Sequence, residues 1–201
     1  MINRPKYKTA RRLGANVFDK TMTQKYSIRE ARRKIEKRGK PKSEYGAQLL
    51  EKQKAKTTYG VSEKMFAKYV NSILDKKGAN SPEQLISILE SRLDNVVYRL
   101  GFAPTRQAAR QMVAHGHFTV NEGRVTIPSY RLSIGDKVAI RPGSAKKALF
   151  LTLDEKLKTH NWPSWLAFDI GKKECKVQGA PKLTPVEVNF DTAAVLNFYS
   201  R

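Results

Sequence analysis

The chain contains one cysteine, Cys175, among its 201 residues. A single thiol can neither close an internal disulfide nor assemble a thiolate zinc site, so no covalent or metal staple is expected. It also fits a reducing, cytoplasmic-type compartment. Long apolar runs are missing: nothing approaches the roughly 18 residues of a membrane span, and the basic N-terminus lacks the apolar core of a signal peptide. There is no Gly-rich phosphate loop, Walker motif, nucleophile elbow or paired catalytic carboxylate. Enzymatic activity, a cofactor, a small-molecule substrate and a membrane partner are therefore not expected. Acidic residues are scarce as well, with 18 Asp and Glu against 39 Lys and Arg and a formal net charge of +21.

That excess is uneven. Residues 1–58 hold 18 Lys and Arg against 5 Asp and Glu, a local excess of 13. Such crowding is self-repulsive and calls for an anionic partner. A nucleic acid fits, because each neutralised phosphate releases condensed counterions. The basic stretch runs past residue 40, longer and denser in Lys and Arg than a typical removed address segment.

With 40% hydrophobic residues the chain can still bury a core. The expected class is α+β: a basic N-terminal arm, a small helical bundle, and a helix–helix–β module. In residues 1–42, Leu13, Val17, Phe18 and Ile28 are too scattered for a core, which predicts an arm with one helical turn near 28–37. Ser43 can cap a helix containing Tyr45, Leu49 and Leu50, closed by Gly60. Ser62 caps the next, with Phe66, Tyr69, Val70, Ile73 and Leu74 at helical spacing and Gly78 as the stop. Ser81-Pro82-Glu83-Gln84 starts a third, whose stripe is Leu85, Ile86, Ile88 and Leu89. These three should form the bundle, 43–91.

The module occupies 92–175. Leu93, Val96, Val97 and Leu100 mark a helix stopped by Gly101; Pro104-Thr105 opens another that ends at Gly116. The period then becomes two, with Phe118, Val120, Val125 and Ile127 flanking a turn at Asn121-Glu122-Gly123. A second turn, Ile134-Gly135-Asp136, precedes a strand at 137–141. Residues 149–158 read as helical, whereas 193–199 fit helix and strand equally.

Arg106 and Arg110 lie four apart on one helix face with Gln107 and Gln111 beside them. Guanidinium groups at one-turn spacing suit phosphates and 2′-hydroxyls of folded RNA; an ordinary solvated face is the competing reading. His115 and His117 have no thiolate or carboxylate company, so a corner imidazole bonded to backbone or phosphate is preferred to a metal ligand. Lys52, Lys54 and Lys56, ending at Tyr59, form a basic helix face. Trp162 and Trp165 could stack on bases, but burial is favoured for at least one.

The run from Ser91-Arg92-Leu93-Asp94-Asn95 through Tyr98-Arg99-Leu100-Gly101-Phe102, with Thr105-Arg106 and Ala109-Arg110-Gln111, resembles the signature of small-subunit ribosomal protein four of bacteria and organelles. Agreement extends to Tyr45-Gly46, Gln48-Leu49, Glu51-Lys52-Gln53-Lys54, Tyr59-Gly60-Val61, Ile127-Pro128-Ser129-Tyr130, Trp165-Leu166 and Phe198-Tyr199-Ser200. The resemblance implies a structural protein that binds small-subunit ribosomal RNA at a multi-helix junction of the five-prime domain and nucleates assembly. It implies ribosomal protein five as a neighbour, with consequences for accuracy, and a C-terminal segment, 176–201, that returns to the helical domain. Residues matching Arg38, Lys40 and Lys42 lie by the channel through which messenger RNA enters. The RNA contacts it suggests are Arg4, Lys6, Lys8, Arg11, Arg12, Arg32 and Arg33 in the arm, Lys52, Lys54, Lys56 and Tyr59 in the bundle, and Arg99, Arg106, Gln107, Arg110, His117 and Arg124 in the module.

Three departures stand out. Many relatives hold zinc with N-terminal cysteines, and residues 1–58 have none, so the chain resembles the zinc-free variant of the family. The hairpin reads Val120-Asn121-Glu122-Gly123 where the family commonly has Val-Asn-Gly, and Asn197 stands where an acid is frequent. An RNA-modifying or aminoacylating enzyme carrying the same module would need a catalytic domain, for which the residues after Arg141 are too few. A free-standing module protein of the large subunit would not match over the full length. Residues 1–42 are expected to be disordered in the free protein, since they offer little apolar area to offset the entropy of ordering.

Overall fold

A computed structural model of the chain describes residues 5–14, 17–32, 43–75, 82–151, 153, 157, 160–182 and 188–200. In chain order its helices are α1 (Lys6–Leu13), α2 (Gln24–Arg32), α3 (Glu44–Thr58), α4 (Glu63–Leu74), α5 (Pro82–Glu90), α6 (Leu93–Arg99), α7 (Arg106–Ala114), α8 (Pro142–Ala145), α9 (Ala148–Leu151) and α10 (Thr192–Tyr199). The strands are β1 (Phe118–Val120), β2 (Gly123–Arg124), β3 (Lys137–Ile140), β4 (Leu166–Asp169) and β5 (Glu174–Val177). The fold is α+β, as expected. It divides into two compact units, Met1–Pro82 with Leu183–Arg201, and Glu83–Lys182. Helix α5 thus falls with the second unit rather than with the helices before it.

In the first unit, Ser43 Oγ accepts the Gly46 amide at 3.2 Å to start α3, and Ser62 Oγ accepts that of Met65 at 3.4 Å to start α4. Each cap satisfies an amide that the helix itself cannot. The buried side of α4 is Phe66, Tyr69, Val70 and Ile73, as its spacing predicts. On α3 the outcome differs: Tyr45 is exposed, and Gln48, Lys52 and Ala55 are the buried side. Helix α10 packs on α3 and α4. Asp191 caps it, accepting from the amides of Ala193 and Ala194 at 2.8 and 3.1 Å. This settles 193–199 as helix; seven residues are too few to separate the two periods, and the cap decides.

The expectation of a coreless arm is overturned for the described part of residues 1–42. Helix α1 and a 3-10 turn at Asp19–Thr21 bury Ala10, Leu13, Val17 and Thr21, and Tyr7 stacks on Tyr26 of α2 with ring centroids 5.9 Å apart. Tyr7 and Tyr26 stand nineteen residues apart, so their stacking has no local signal in the sequence. Gly78, Ser81 and residues 33–42 lie outside the described residues.

The second unit is an antiparallel five-stranded sheet, ordered β2-β1-β3-β5-β4, with α6 packed against α7. Alternation sends Phe118, Val120, Val138, Ile140, Cys175 and Val177 into a core shared with Leu93, Val96, Val97, Leu100, Ala109, Met112 and Val113. Phe118, fully buried, lies between Phe102 and Phe150 at centroid distances of 5.6 and 6.2 Å. Phe150, Leu153 and Leu157 are buried too. Ile127, expected on a strand, is exposed beyond the short β2. Burial pushes the Cys175 thiol up to about 12, so it packs as a small hydrophobe.

The ends of α6 are closed from a distance. Its first amides, Leu93 and Asp94, donate to the carbonyls of Tyr130 and Pro128 at 2.8 and 3.1 Å. At its other end His160 Nε2 lies 2.8 Å from the Arg99 carbonyl, and Trp162 Nε1 donates to that of Leu100 at 3.4 Å. A carbonyl can only accept, so His160 carries its proton on Nε2. Gly101, at φ +80, lets the chain turn where a Cβ would meet the His160 ring at 3.2 Å.

The β1–β2 hairpin has a two-residue turn, because Val120 pairs with Gly123. Asn121 and Glu122 sit at φ 48 and 68, a pattern of paired positive angles that favours Asn-Gly. Asn121 earns its place: its amide donates to Asp136 at 2.8 Å and its carbonyl oxygen accepts the Lys137 amide at 2.9 Å. Glu122 has no such bonds among those described, and a left-handed conformation costs a side-chain-bearing residue roughly 1–2 kcal/mol. Glu122→Gly should therefore raise stability by about 1 kcal/mol, read as a higher urea midpoint with an unchanged slope; a lower midpoint would refute the strain.

Candidate nucleic-acid interface

The arginines of α6 and α7 converge on two buried acids. Glu90, fully buried at the end of α5, accepts from Arg99 Nε at 2.9 Å and Nη2 at 3.1 Å. It also lies 4.0 Å from Arg106 Nη2 and accepts from the Asn95 amide at 2.8 Å. Asp94, one turn beyond across the α5–α6 break, accepts from Arg92 Nε and Nη2 at 3.0 and 2.7 Å and from Arg110 Nε at 3.0 Å. Arg106 Nε donates to Asn95 Oδ1 at 2.8 Å, and its guanidinium stands 4.4 Å over the Tyr98 ring. The side chains of Arg99, Arg106 and Arg110 remain 18%, 20% and 24% exposed, whereas that of Arg92 is 2% exposed. The spacing argument placed Arg106 and Arg110 together correctly; the structure shows them braced rather than freely solvated.

Gln107 and Arg124 are exposed. The Arg124 side chain lies across Gly116, where a Cβ would approach its Nε to 2.4 Å, so the glycine (φ +69) admits the arginine as well as the turn. His117 does not belong to this surface. It is buried, with Nδ1 3.0 Å from Ser144 Oγ and the Phe150 ring set edgewise to it. Burial lowers its pKa below the ordinary 6.5, and nearby Lys147, His115, Arg141 and Arg124 act in the same direction. Trp165 is buried, and Trp162 serves α6.

In the first unit the lysines of α3 face inward or are paired. Lys52 is buried: Nζ lies 2.7 Å from Glu63 Oε1 and 4.4 Å from the centroid of the Phe198 ring. Lys56 bonds Glu63 Oε2, and Lys54 bonds Glu51, each at 2.6 Å. Glu51 also accepts the Asp191 amide at 3.0 Å, and Glu63 accepts the Tyr199 hydroxyl at 2.9 Å. Tyr59 is buried against Phe190. Lys52 therefore packs against α10 and Tyr59 against Phe190 just before it; both are buried, not exposed as an RNA contact requires. By contrast Lys8, Arg11, Arg12 and Arg32 are exposed, and Lys6 is half-buried. Arg4, Arg33, Arg38, Lys40 and Lys42 lie outside the described residues.

Sequence reasoning missed Glu90, Asp94 and Glu63. The first two were legible in principle, since acids four apart face arginines four apart. Glu63 and its partners Lys52 and Tyr199 have no local signal. Among the described residues no cluster of His, Cys, Asp and Glu could hold a metal, and no helix is long and apolar enough to cross a membrane.

Burial pushes Glu63 up, but the bonds from Lys52, Lys56 and Tyr199 outweigh it and lower its pKa from the ordinary 4.5 to about 2. Burial, together with the same contact, pushes the Tyr199 hydroxyl above its ordinary 10.0. A depressed acid contributes stability above its unfolded value and loses it as pH falls through the folded one. Acidification from 4.5 to about 2 should therefore loosen α10, with the Glu63 carboxyl titrating near the lower value by NMR. A midpoint at the ordinary value, or the same acid response in Glu63→Gln, would refute this.

The family model described as "Ribosomal protein S4/S9 N-terminal domain" matches residues 2–90, and that described as "S4 domain" matches 91–138, together more than half of the chain. Small ribosomal subunit protein uS4 of Chloroflexus aurantiacus is 38% identical over 201 residues, covering 98% of this chain and 97% of that protein. Small ribosomal subunit protein uS4 of Roseiflexus castenholzii is 39% identical over the same span and shares. Small ribosomal subunit protein uS4A of Alkaliphilus metalliredigens is 46% identical over 159 residues, covering 79% and 76%. With its helical segment, its α+β module and near-complete alignment to the first two of these relatives, the chain belongs to the bacterial-type family of small ribosomal subunit protein uS4.

Proposed function

We infer that this protein is a non-catalytic, structural constituent of the small ribosomal subunit and acts by binding ribosomal RNA. The observation that carries this reading is the alignment of relatives named as small-subunit proteins over 98% of the chain. Its net charge of +21 agrees. Two folded units, each with exposed cations, suit a protein that grips separate RNA helices and fixes their mutual orientation.

In finer terms, it is a primary binder of a multi-helix junction in the five-prime domain and nucleates subunit assembly. Lys6, Lys8, Arg11, Arg12 and Arg32 contact RNA from the first unit, with Arg4 and Arg33 continuing the basic run. Lys54 and Lys56 add partly exposed charge. Arg99, Arg106, Gln107, Arg110 and Arg124 contact it from the second. Arg38, Lys40 and Lys42 border the channel through which messenger RNA enters, and ribosomal protein five is the protein neighbour, a contact that affects accuracy. The site of action is the cytoplasmic small subunit. The family resemblance supports these assignments, and the exposed or half-exposed placement of the described cations supports the RNA contacts.

Purified protein titrated onto protein-free small-subunit ribosomal RNA across a salt series, with footprinting, tests the reading. Tight binding that falls steeply with salt, with protection at one junction, is expected. Weak binding spread evenly along the RNA would refute it.

A further inference from the structure

We propose that Glu90 and Asp94 are positioning residues for RNA recognition, two buried carboxylates that set the planes and reach of Arg99, Arg106 and Arg110. The inference rests on the functional reading above. A surface that only had to attract phosphate would gain nothing from acids beneath it, since each one subtracts from the local positive potential. Yet Glu90 is fully buried and Asp94 is 4% exposed, directly under the most RNA-suited arginines of the module. Among the described ion pairs, four arginines meet these two acids.

The geometry says what the acids do. Arg99 and Arg110 each turn the Nε–Nη2 edge inward onto a carboxylate, and Arg106 turns Nε onto Asn95 with Nη2 towards Glu90. A planar guanidinium held along that edge has its Nη1 end directed away from the acceptor. Tyr98 supports the Arg106 plane from below. Asn95 links the two halves, donating to Glu90 at 2.8 Å while accepting from Arg106 at 2.8 Å. The buried Arg92 shares Asp94 with Arg110 and supplies internal counter-charge, so the exposed arginine need not abandon its own orientation to neutralise the acid. Fixing long side chains beforehand reduces the ordering cost at binding. A lysine would supply the charge without the fork.

Glu90→Gln separates position from charge, because it adds one unit of positive charge while removing the brace. Binding is measured to protein-free small-subunit ribosomal RNA and to random-sequence RNA of equal length, with thermal melting of each variant. Positioning requires about tenfold weaker binding to ribosomal RNA with no loss on random RNA. Arg106→Lys, a change at a partly exposed site, should likewise lose about tenfold on ribosomal RNA while the slope of affinity against salt stays unchanged. This variant decides the matter if Glu90→Gln does not fold. Ribosomal RNA binding equal to or tighter than wild type in folded Glu90→Gln, wild-type affinity in Arg106→Lys, or equal losses on both RNAs would overturn the inference alone. A wild-type protein that does not prefer ribosomal RNA would overturn the functional reading and this inference with it.

Discussion

The second unit depends on burying carboxylates inside a strongly positive chain. An ionised acid taken out of water is costly unless charge partners and hydrogen bonds surround it, and removing one partner of such a pair typically costs about 3–5 kcal/mol. Glu90 and Asp94 meet that condition only if α5, α6 and α7 are all in place, since their partners Arg92, Asn95, Arg99, Arg106 and Arg110 are spread over these elements and their junction. The backbone around them is tied accordingly. The α6 amides are met by the 128–130 loop, and its carbonyls by His160 and Trp162. The pairs are thus as much a specification of how the helices meet as a source of charge.

Counting charge and locating usable charge are different exercises. In both units several of the cations most suggestive by spacing are engaged within the protein: Lys52, Lys54 and Lys56 with Glu63 and Glu51, and the three module arginines with Glu90, Asp94 and Asn95. The exposed basic residues of α1 and α2 are less patterned. Self-repulsion explains the division, because a chain this basic is most stable when its few acids each serve more than one cation. Glu63 serves two lysines and a tyrosine hydroxyl, and these bonds hold its pKa well below the ordinary carboxylate value.

Legibility followed the range of the interaction that decides each element. Caps and stops are local, so Ser43, Ser62, Thr105, Gly101 and Gly116 placed their helix ends correctly. The alternation at Phe118 and Val120 likewise revealed a buried strand face. The N-terminal helices were missed because the contact between them, Tyr7 on Tyr26, joins residues nineteen positions apart and leaves no local signal. His117 was read as a corner imidazole bonded to backbone or phosphate, but Ser144 and Phe150, about thirty residues on, are its partners. Tyr59 and Lys52 were assigned to RNA because Phe190 and Phe198, which meet them, lie far down the chain.

That last arrangement has a consequence for synthesis. The unit Glu83–Lys182 is one continuous stretch, so it can complete its core as soon as it has emerged. The other unit is assembled from both ends of the chain, and α3 and α4 wait for α10. Until Phe198 and Tyr199 arrive, Lys52 and Phe66 lack the aromatic cover they have in the finished protein. Residues of α3 and α4 are translated long before they reach their final packing, and the nascent polycation meets its surroundings with one of its two folded bodies still unfinished.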